Sequence, residues 1–218
     1  MSDFSFWDIV RNLLTGLQWT LLLSMVAFIG GGVIGLLVMT MRISTKAFPR
    51  NVARTYIELF QGTPLLMQLF LVYFGMSIFG FGIDPWTAAA LALSLHASAF
   101  LGEIWRGCIE AISPGQGEAA TALGLDWAQR MRWVILPQAA KIAVAPTVGF
   151  LVQLVKGTSL AAIIGFTELT RSGQIIANAT FKPFLVYSLV ACLYFAICWP
   201  LSFLAARLER RLAQATAR

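Results

Sequence analysis

Five apolar segments of about 20 residues, separated by polar stretches, constrain this 218-residue chain more than any other feature. A helix needs about 20 mostly apolar residues to cross a bilayer. In hydrocarbon each peptide group must find its partner within protein, and a helix supplies all of them inside one segment. Spans are predicted at 17–41, 59–81, 86–108, 139–157 and 184–206. The fourth apolar stretch continues to residue 166 but is interrupted by Lys156-Gly157-Thr158-Ser159. Together the segments use up the chain, so one all-α membrane bundle over 1–218 is expected, with no separate soluble domain. Composition agrees. The chain is 58% hydrophobic and 12% charged, against about 45–50% and about 25% for soluble domains.

The net charge of +6 would hint at nucleic acid in a soluble protein. Here the basic residues lie between apolar segments, and no basic-aromatic nucleic-acid motif occurs. The loop 42–54, the region 106–141 and the C-terminal tail hold 12 of the 16 Lys and Arg residues. Five spans place these three regions on one side. By the positive-inside rule that side is cytoplasmic, with the N-terminus outside. The N-terminus lacks the basic region of a signal peptide: Asp3 and Asp8 precede Arg11, and the apolar run that follows is too long. It is expected to remain as an anchor after a mixed, amphipathic lead that includes Phe4, Phe6 and Trp7. Cys108, Cys192 and Cys198 form no CxxC pair and read as small packing residues. The sequon Asn178-Ala179-Thr180 reads as chance.

Two local patterns stand out. Gly31 and Gly35 form a small-xxx-small pair that permits close helix contact. The polar island at 110–138 is the longest break in the apolar pattern. Ser113-Pro114-Gly115 ends the third span, Glu118 to Leu123 favours helix, and Gly124 reads as a C-cap. Asp126 is placed to cap a second helix over 127–136. A helix, a turn and a helix lying against the membrane are predicted. That shape suits docking into a cleft on another protein, with Leu123, Leu125, Trp127, Arg130 and Arg132 on its surface. It also suits an ordinary interfacial helix.

The island resembles the coupling loop of ATP-binding-cassette importer permeases, whose signature is Glu-Ala-Ala, three residues, Gly, nine residues, Ile, one residue, Leu-Pro. Glu118-Ala119-Ala120, Gly124, Leu136 and Pro137 match at that spacing, with Val134 in place of Ile. Further stretches are similar to the polar-amino-acid branch. They are 56–66, with Gln61 where Arg is usual, 99–107, Gly115-Gln116, Pro137-Gln138-Ala139, and Lys156-Gly157-Thr158-Ser159-Leu160, with Gly157 in place of Asp. The resemblance covers roughly 17–212.

It implies a five-helix type I importer permease bundle with a cytoplasmic coupling helix, in a bacterial inner membrane. Glu118, Ala119, Ala120, Gly124, Leu125, Arg130 and Pro137 would couple to a separate ATPase dimer. A second permease, identical or similar, and an extracytoplasmic binding protein would complete the machine. Its substrate would be a polar amino acid. This chain carries no P-loop, so ATP and Mg would be bound by the partner, with no catalytic residue, metal or cofactor here.

Polar residues within apolar segments are candidates for a pathway, because an unpartnered one is costly in hydrocarbon. On the third span His96, Phe100 and Glu103 share a helical face; on the second, Gln61, Pro64 and Gln68 do. Gln153 and Lys156 are a turn apart on the fourth. Each also suits a structural hydrogen bond, and Glu103 sits one turn from Arg106. Lys156, Thr158 and Ser159 are the strongest candidates for substrate or gate contact. Lys156 lies about 28 Å along a helix from Pro137, toward the outer side. Two rival classes fit less well. An ion-gradient-driven secondary transporter of small polar solutes would be expected to show inverted repeats and several buried acids. An intramembrane enzyme would need a nucleophile and base in the core, and the chain has one His.

Overall fold

The computed structural model describes residues 5–216, most of them helical, with side-chain surroundings described for 5–210. Asp3 and Phe4 of the expected amphipathic lead, and the end of the basic tail at Arg218, lie outside the described residues. The elements are α1 (Phe6–Arg42), α2 (Ala47–Gln61), α3 (Leu65–Ile78), α4 (Pro85–Glu110), α5 (Pro114–Ala122), α6 (Trp127–Ile164), α7 (Leu169–Thr180) and α8 (Pro183–Thr216). The helices α1, α4, α6 and α8 are long and apolar enough to cross a membrane. The pair α2 and α3, bent by 103° at its break, is apolar enough to count with them when taken together, which brings the candidates to five.

Three elements differ from the sequence expectation. The first span and the lead before it form one helix, because nothing between Phe6 and Arg42 stops it. The second span is broken at Gly62-Thr63-Pro64. Pro64 supplies no backbone donor, and it disfavours helical geometry at the residue before it. Gln61 and Gln68 therefore sit on two helices and do not share one face with Pro64. Finally, the helix beginning at Trp127 is not a separate piece against the membrane. It runs on into the fourth span through a π-turn at Met131–Ile135. Proline at 137 has no N–H for the carbonyl four residues back, and a π-turn absorbs that mismatch within a continuous helix.

The core lies where α1, α3, α4 and α6 meet. Leu23 and Ala27 pack with Leu69, with Ala92, Leu93, Ala97 and Leu101, and with Phe150 and Leu154. The seam between α1 and α4 is the tightest contact. A Cβ added to Gly31 would lie 2.5 Å from the Ala97 Cβ and 2.9 Å from the Ser94 carbonyl oxygen. At Gly35 it would lie 3.1 Å from the Ser98 carbonyl oxygen. The Gly31-xxx-Gly35 pair therefore brings two backbones together, as small residues do in membrane bundles.

A second cluster joins the start of α1 to α7 and α8 through Leu13, Leu169, Ile176, Val186 and Val190. At its edge Glu168 is fully buried. Its Oε1 accepts the Arg171 N–H at 2.8 Å, and its Oε2 accepts the Thr170 N–H and the Tyr194 hydroxyl, both at 2.9 Å. Thr20 on α1 accepts the Leu169 N–H at 3.1 Å. One carboxyl thus caps α7 and ties it to α8, with Thr20 beside it on α1. Burial pushes the Glu168 carboxyl up, and the backbone and tyrosine donors offset this only in part.

Two outcomes follow. Gly31→Val forces the α1–α4 seam apart and should cost about 1–3 kcal/mol, lowering the melting temperature of purified protein in detergent. Gly32→Ala, whose Cβ meets only a Trp105 ring atom at 3.7 Å, should be close to neutral in the same melt. For Glu168, a raised folded pKa means the stabilisation from burial is complete below the ordinary value of 4.5 and fades as pH rises through the folded value. The melting temperature of the wild type minus that of Glu168→Gln should therefore shrink as pH rises; parallel curves would contradict this placement.

Candidate functional site

The polar island folds into an exposed bracket. Its first arm, α5, begins with Pro114 at the first helical position, where a missing N–H costs nothing. The arm ends at Gly124, φ +79°. The Leu125 N–H donates to the Ala120 carbonyl at 3.1 Å and the Gly124 N–H to the Thr121 carbonyl at 2.9 Å. This pair of bonds is the Schellman closure, and its left-handed residue is normally glycine. Two residues later Asp126 opens α6 with a capping box. Its carboxylate accepts the Gln129 N–H at 2.8 Å, while the Gln129 side chain accepts the Asp126 N–H at 3.0 Å. Arg130 reaches back across the turn to donate to the Thr121 hydroxyl at 2.5 Å.

Three sets of hydrogen bonds therefore hold the angle between the arms. Ala120 and Met131 face inward. Leu123 is 82% exposed and Trp127 53%, large apolar surface at the tip of a polar loop. Glu118, Ala119 and Gly124 are exposed, Leu125 and Arg130 half-exposed, and exposed Pro137 lies beyond the π-turn. Because α6 is continuous, a displacement of the tip is carried by helix into the bundle.

The polar residues flagged inside the bundle fall into three places. Gln68 and His96 meet at the α2–α3 break. The Gln68 side-chain amide donates to the Phe60 carbonyl at 2.8 Å and to the Thr63 carbonyl at 3.0 Å. Its oxygen pairs with His96 Nδ1 at 3.0 Å. Gln68 thus supplies the donor for carbonyls that the break leaves open, and His96 fastens it to α4. Phe100, one turn on, stacks with Phe150 of α6 at 5.4 Å between centroids.

Glu103 belongs to a separate charge cluster at the end of α4. Arg106 donates to both of its oxygens, at 2.5 and 2.9 Å, and also to Glu110. Arg42 of α1 stands 3.8 Å away, within ion-pair range and beyond a hydrogen bond. The third place is the far part of α6. Exposed Lys156 borders a cavity of about 240 Å³ with Tyr194, Cys198, Trp199 and Ser202 of α8. Gln153 is exposed one turn before it. The break expected at 156–159 is only a change to a 3₁₀ course at Thr158–Ile164. Thr158 is fully buried and donates to the Val155 carbonyl, and Ser159 donates to the Lys156 carbonyl, both at 2.7 Å.

Glu168, the best-buried carboxyl among the described residues, escaped the sequence reading. Its one local signal is the N-cap position before 169–180. Cys108 and Cys198 are buried and Cys192 is exposed, all three as free thiols.

Comparison with known proteins places this architecture. Residues 31–214 match the family described as binding-protein-dependent transport system inner membrane component. The chain is 41% identical over 183 residues to the probable amino-acid ABC transporter permease protein YckA of Bacillus subtilis, covering 84% of this chain and 81% of that protein. It is 38% identical over 208 residues to the glutamine transport system permease protein GlnP of Escherichia coli, covering 94% and 95%. A crystal structure of an amino acid ABC transporter with histidines superposes with a TM-score of 0.89 at 38% identity, over 95% of this chain and 98% of that one. The inward-facing MetNI methionine ABC transporter, at 24% identity and a TM-score of 0.72, shares the fold. The chain therefore belongs to the family of inner-membrane components of binding-protein-dependent transport systems.

Proposed function

We propose that this chain is the membrane-spanning permease subunit of an ATP-driven importer of a polar amino acid. The observation that carries the reading is the bracket at 114–130: its angle is held by hydrogen bonds, its apolar tip is exposed, and its second arm is continuous with a spanning helix. Such a part receives a push and passes it on. Similar proteins carry the names of amino-acid transport permeases, and two residues of the importer signature, Ala120 and Gly124, make the bonds that close the bracket's turn.

In this reading Glu118, Ala119, Ala120, Gly124, Leu125, Arg130 and Pro137 form or support the surface that docks on a separate ATPase. ATP and Mg are handled there. Two such ATPases serve two permeases, this chain and an identical or similar partner. A binding protein delivers substrate on the opposite, outer side. The N-terminus lies outside and the C-terminus in the cytoplasm, as the distribution of Lys and Arg favours. ATP binding draws the two brackets together and turns the cavity outward; hydrolysis releases them.

The pathway residues divide by their surroundings. Exposed Lys156, with Gln153 and Ser159 nearby, is the proposed contact for substrate or outer gate. Gln68 and His96 act on the pathway by holding the broken second span. Glu103 braces the cytoplasmic end through Arg106. Thr158 has no place in the pathway, since it is buried and its hydroxyl is already bonded.

Gly124 separates docking from folding. A Cβ there meets nothing within 4 Å, so only the left-handed backbone opposes a side chain within this chain. That strain is about 1–2 kcal/mol for most residues and less for Asn. In proteoliposomes holding the assembled complex, Gly124→Asn should retain most coupled uptake. Gly124→Trp should lose at least tenfold while the permease stays folded. Wild-type uptake by Gly124→Trp would remove the basis for the docking surface.

A further inference from the structure

We propose that the basic cavity between the end of α1, α2 and the end of α4 is a binding site for the phosphodiester headgroup of an anionic phospholipid. The cavity holds about 400 Å³, and its lining includes Arg42, Arg50 and Arg54 together with Gln61 and the carboxylates of Glu58 and Glu103. That volume lies in the range of small-molecule sites, roughly 300–1,000 Å³.

Charge bookkeeping favours an anion. Three guanidinium groups face two carboxylates, and both carboxylates are engaged. Glu58 accepts from Arg54 at 2.7 Å. Glu103 is held by Arg106, which lies outside the lining, at 2.5 and 2.9 Å. Among the described residues Arg50 forms no ion pair, and the buried Nε of Arg42 has no hydrogen bond, only an ion pair with Glu103 at 3.8 Å. The anion's place is therefore at the exposed guanidinium of Arg50, with Arg42 adding charge from behind, and guanidinium matches phosphate in geometry as well as charge.

The pattern of α2 selects lipid over a free anion. At 3.6 residues per turn its side chains divide into three faces roughly 120° apart. Ala53 and Ile57 pack inward with Val38 and Ala99. Arg50, Asn51, Arg54 and Gln61 form the polar face. The third face is apolar and outward: Phe48 is 81% exposed, Val52 44% and Leu59 60%. An apolar strip beside a basic cavity at the end of a spanning helix offers acyl chains and a headgroup adjacent places. A zwitterionic headgroup would bring its own cation to the arginines and gain less. Basic pockets between spans are a known form of lipid recognition. The inference rests on the proposed orientation only for which leaflet supplies the lipid, here the cytoplasmic one.

The test uses the purified permease–ATPase complex in detergent, titrated with short-chain phosphatidylglycerol, short-chain phosphatidylcholine or inorganic phosphate, with bound species counted by native mass spectrometry. This readout depends on neither transport nor coupling, so it can fail while the proposed function stands, or the reverse. The wild type should bind phosphatidylglycerol more tightly than phosphatidylcholine. Arg50→Gln should weaken phosphatidylglycerol about fivefold, and Arg42→Gln with Arg50→Gln about 25-fold, at about one factor of five per arginine. Arg42→Gln also disturbs Glu103, so Arg50→Gln alone decides the matter. Arg210→Gln removes one charge from exposed tail surface and should change nothing. Equal binding of the two lipids, or equal losses from Arg50→Gln and Arg210→Gln, would overturn the site. Displacement of phosphatidylglycerol by inorganic phosphate would show a free-anion site and overturn the lipid assignment.

Discussion

Hydrocarbon offers a peptide group no hydrogen-bond partner, and that constraint decides which polar residues this chain keeps inside its bundle. At the break between α2 and α3 and at the start of α7, a polar side chain stands beside the irregular backbone. Gln68 donates to the carbonyls of Phe60 and Thr63 at the broken second span, and His96 fastens it to α4. Glu168 accepts the first N–H groups of α7 and the hydroxyl of Tyr194. Without these partners the breaks would leave open peptide groups, and straight helices would be the only option. The irregularities are therefore built parts, fixed by nearby side chains that His96 and Tyr194, distant in sequence, hold in place.

The same logic separates force from selection. The bracket lies outside the bundle core, where local chemistry alone can shape it: a left-handed glycine, an aspartate cap and an arginine strut. It continues into α6 without a loop. Within the bundle, two glycines let the backbones of α1 and α4 touch, and we infer that this close seam resists that input. A rigid seam and a continuous helix together make a lever. In the proposed machine the lever is driven by a partner ATPase, and the residues that meet substrate lie at the other end of α6, around Lys156.

How much of this was legible in the sequence depended on the range of each interaction. The apolar segments, the Gly31–Gly35 spacing and the two caps flanking the turn at Gly124 are local patterns, and they folded as their chemistry dictates. Gly62-Thr63-Pro64 is also local, but hydropathy averaged over a span smooths such a break away. The helix that starts at Trp127 is predicted over 127–136; it continues instead, because the π-turn before Pro137 absorbs the proline's missing N–H. Glu168 stands at the N-cap position of 169–180, and nothing in its neighbouring residues marks it as buried. Its burial depends on Thr20 and on Tyr194, which a scan of neighbouring residues does not bring to its side. Gln68 and His96 were flagged for being polar in an apolar run, and their union depends on the fold.

The central claim is that energy enters through the bracket, and cysteine cross-linking tests it most directly. In a variant lacking the three native cysteines, Leu123→Cys places a thiol at the exposed tip. Phe181→Cys places one, equally exposed, in the turn before α8 at the proposed outer side. Treated with a short thiol–amine cross-linker in the assembled complex, the Leu123→Cys permease should be captured by the ATPase subunit, with a yield that changes on adding ATP. The Phe181→Cys permease should not be captured. Capture of both alike, or of Phe181→Cys alone, would contradict the account.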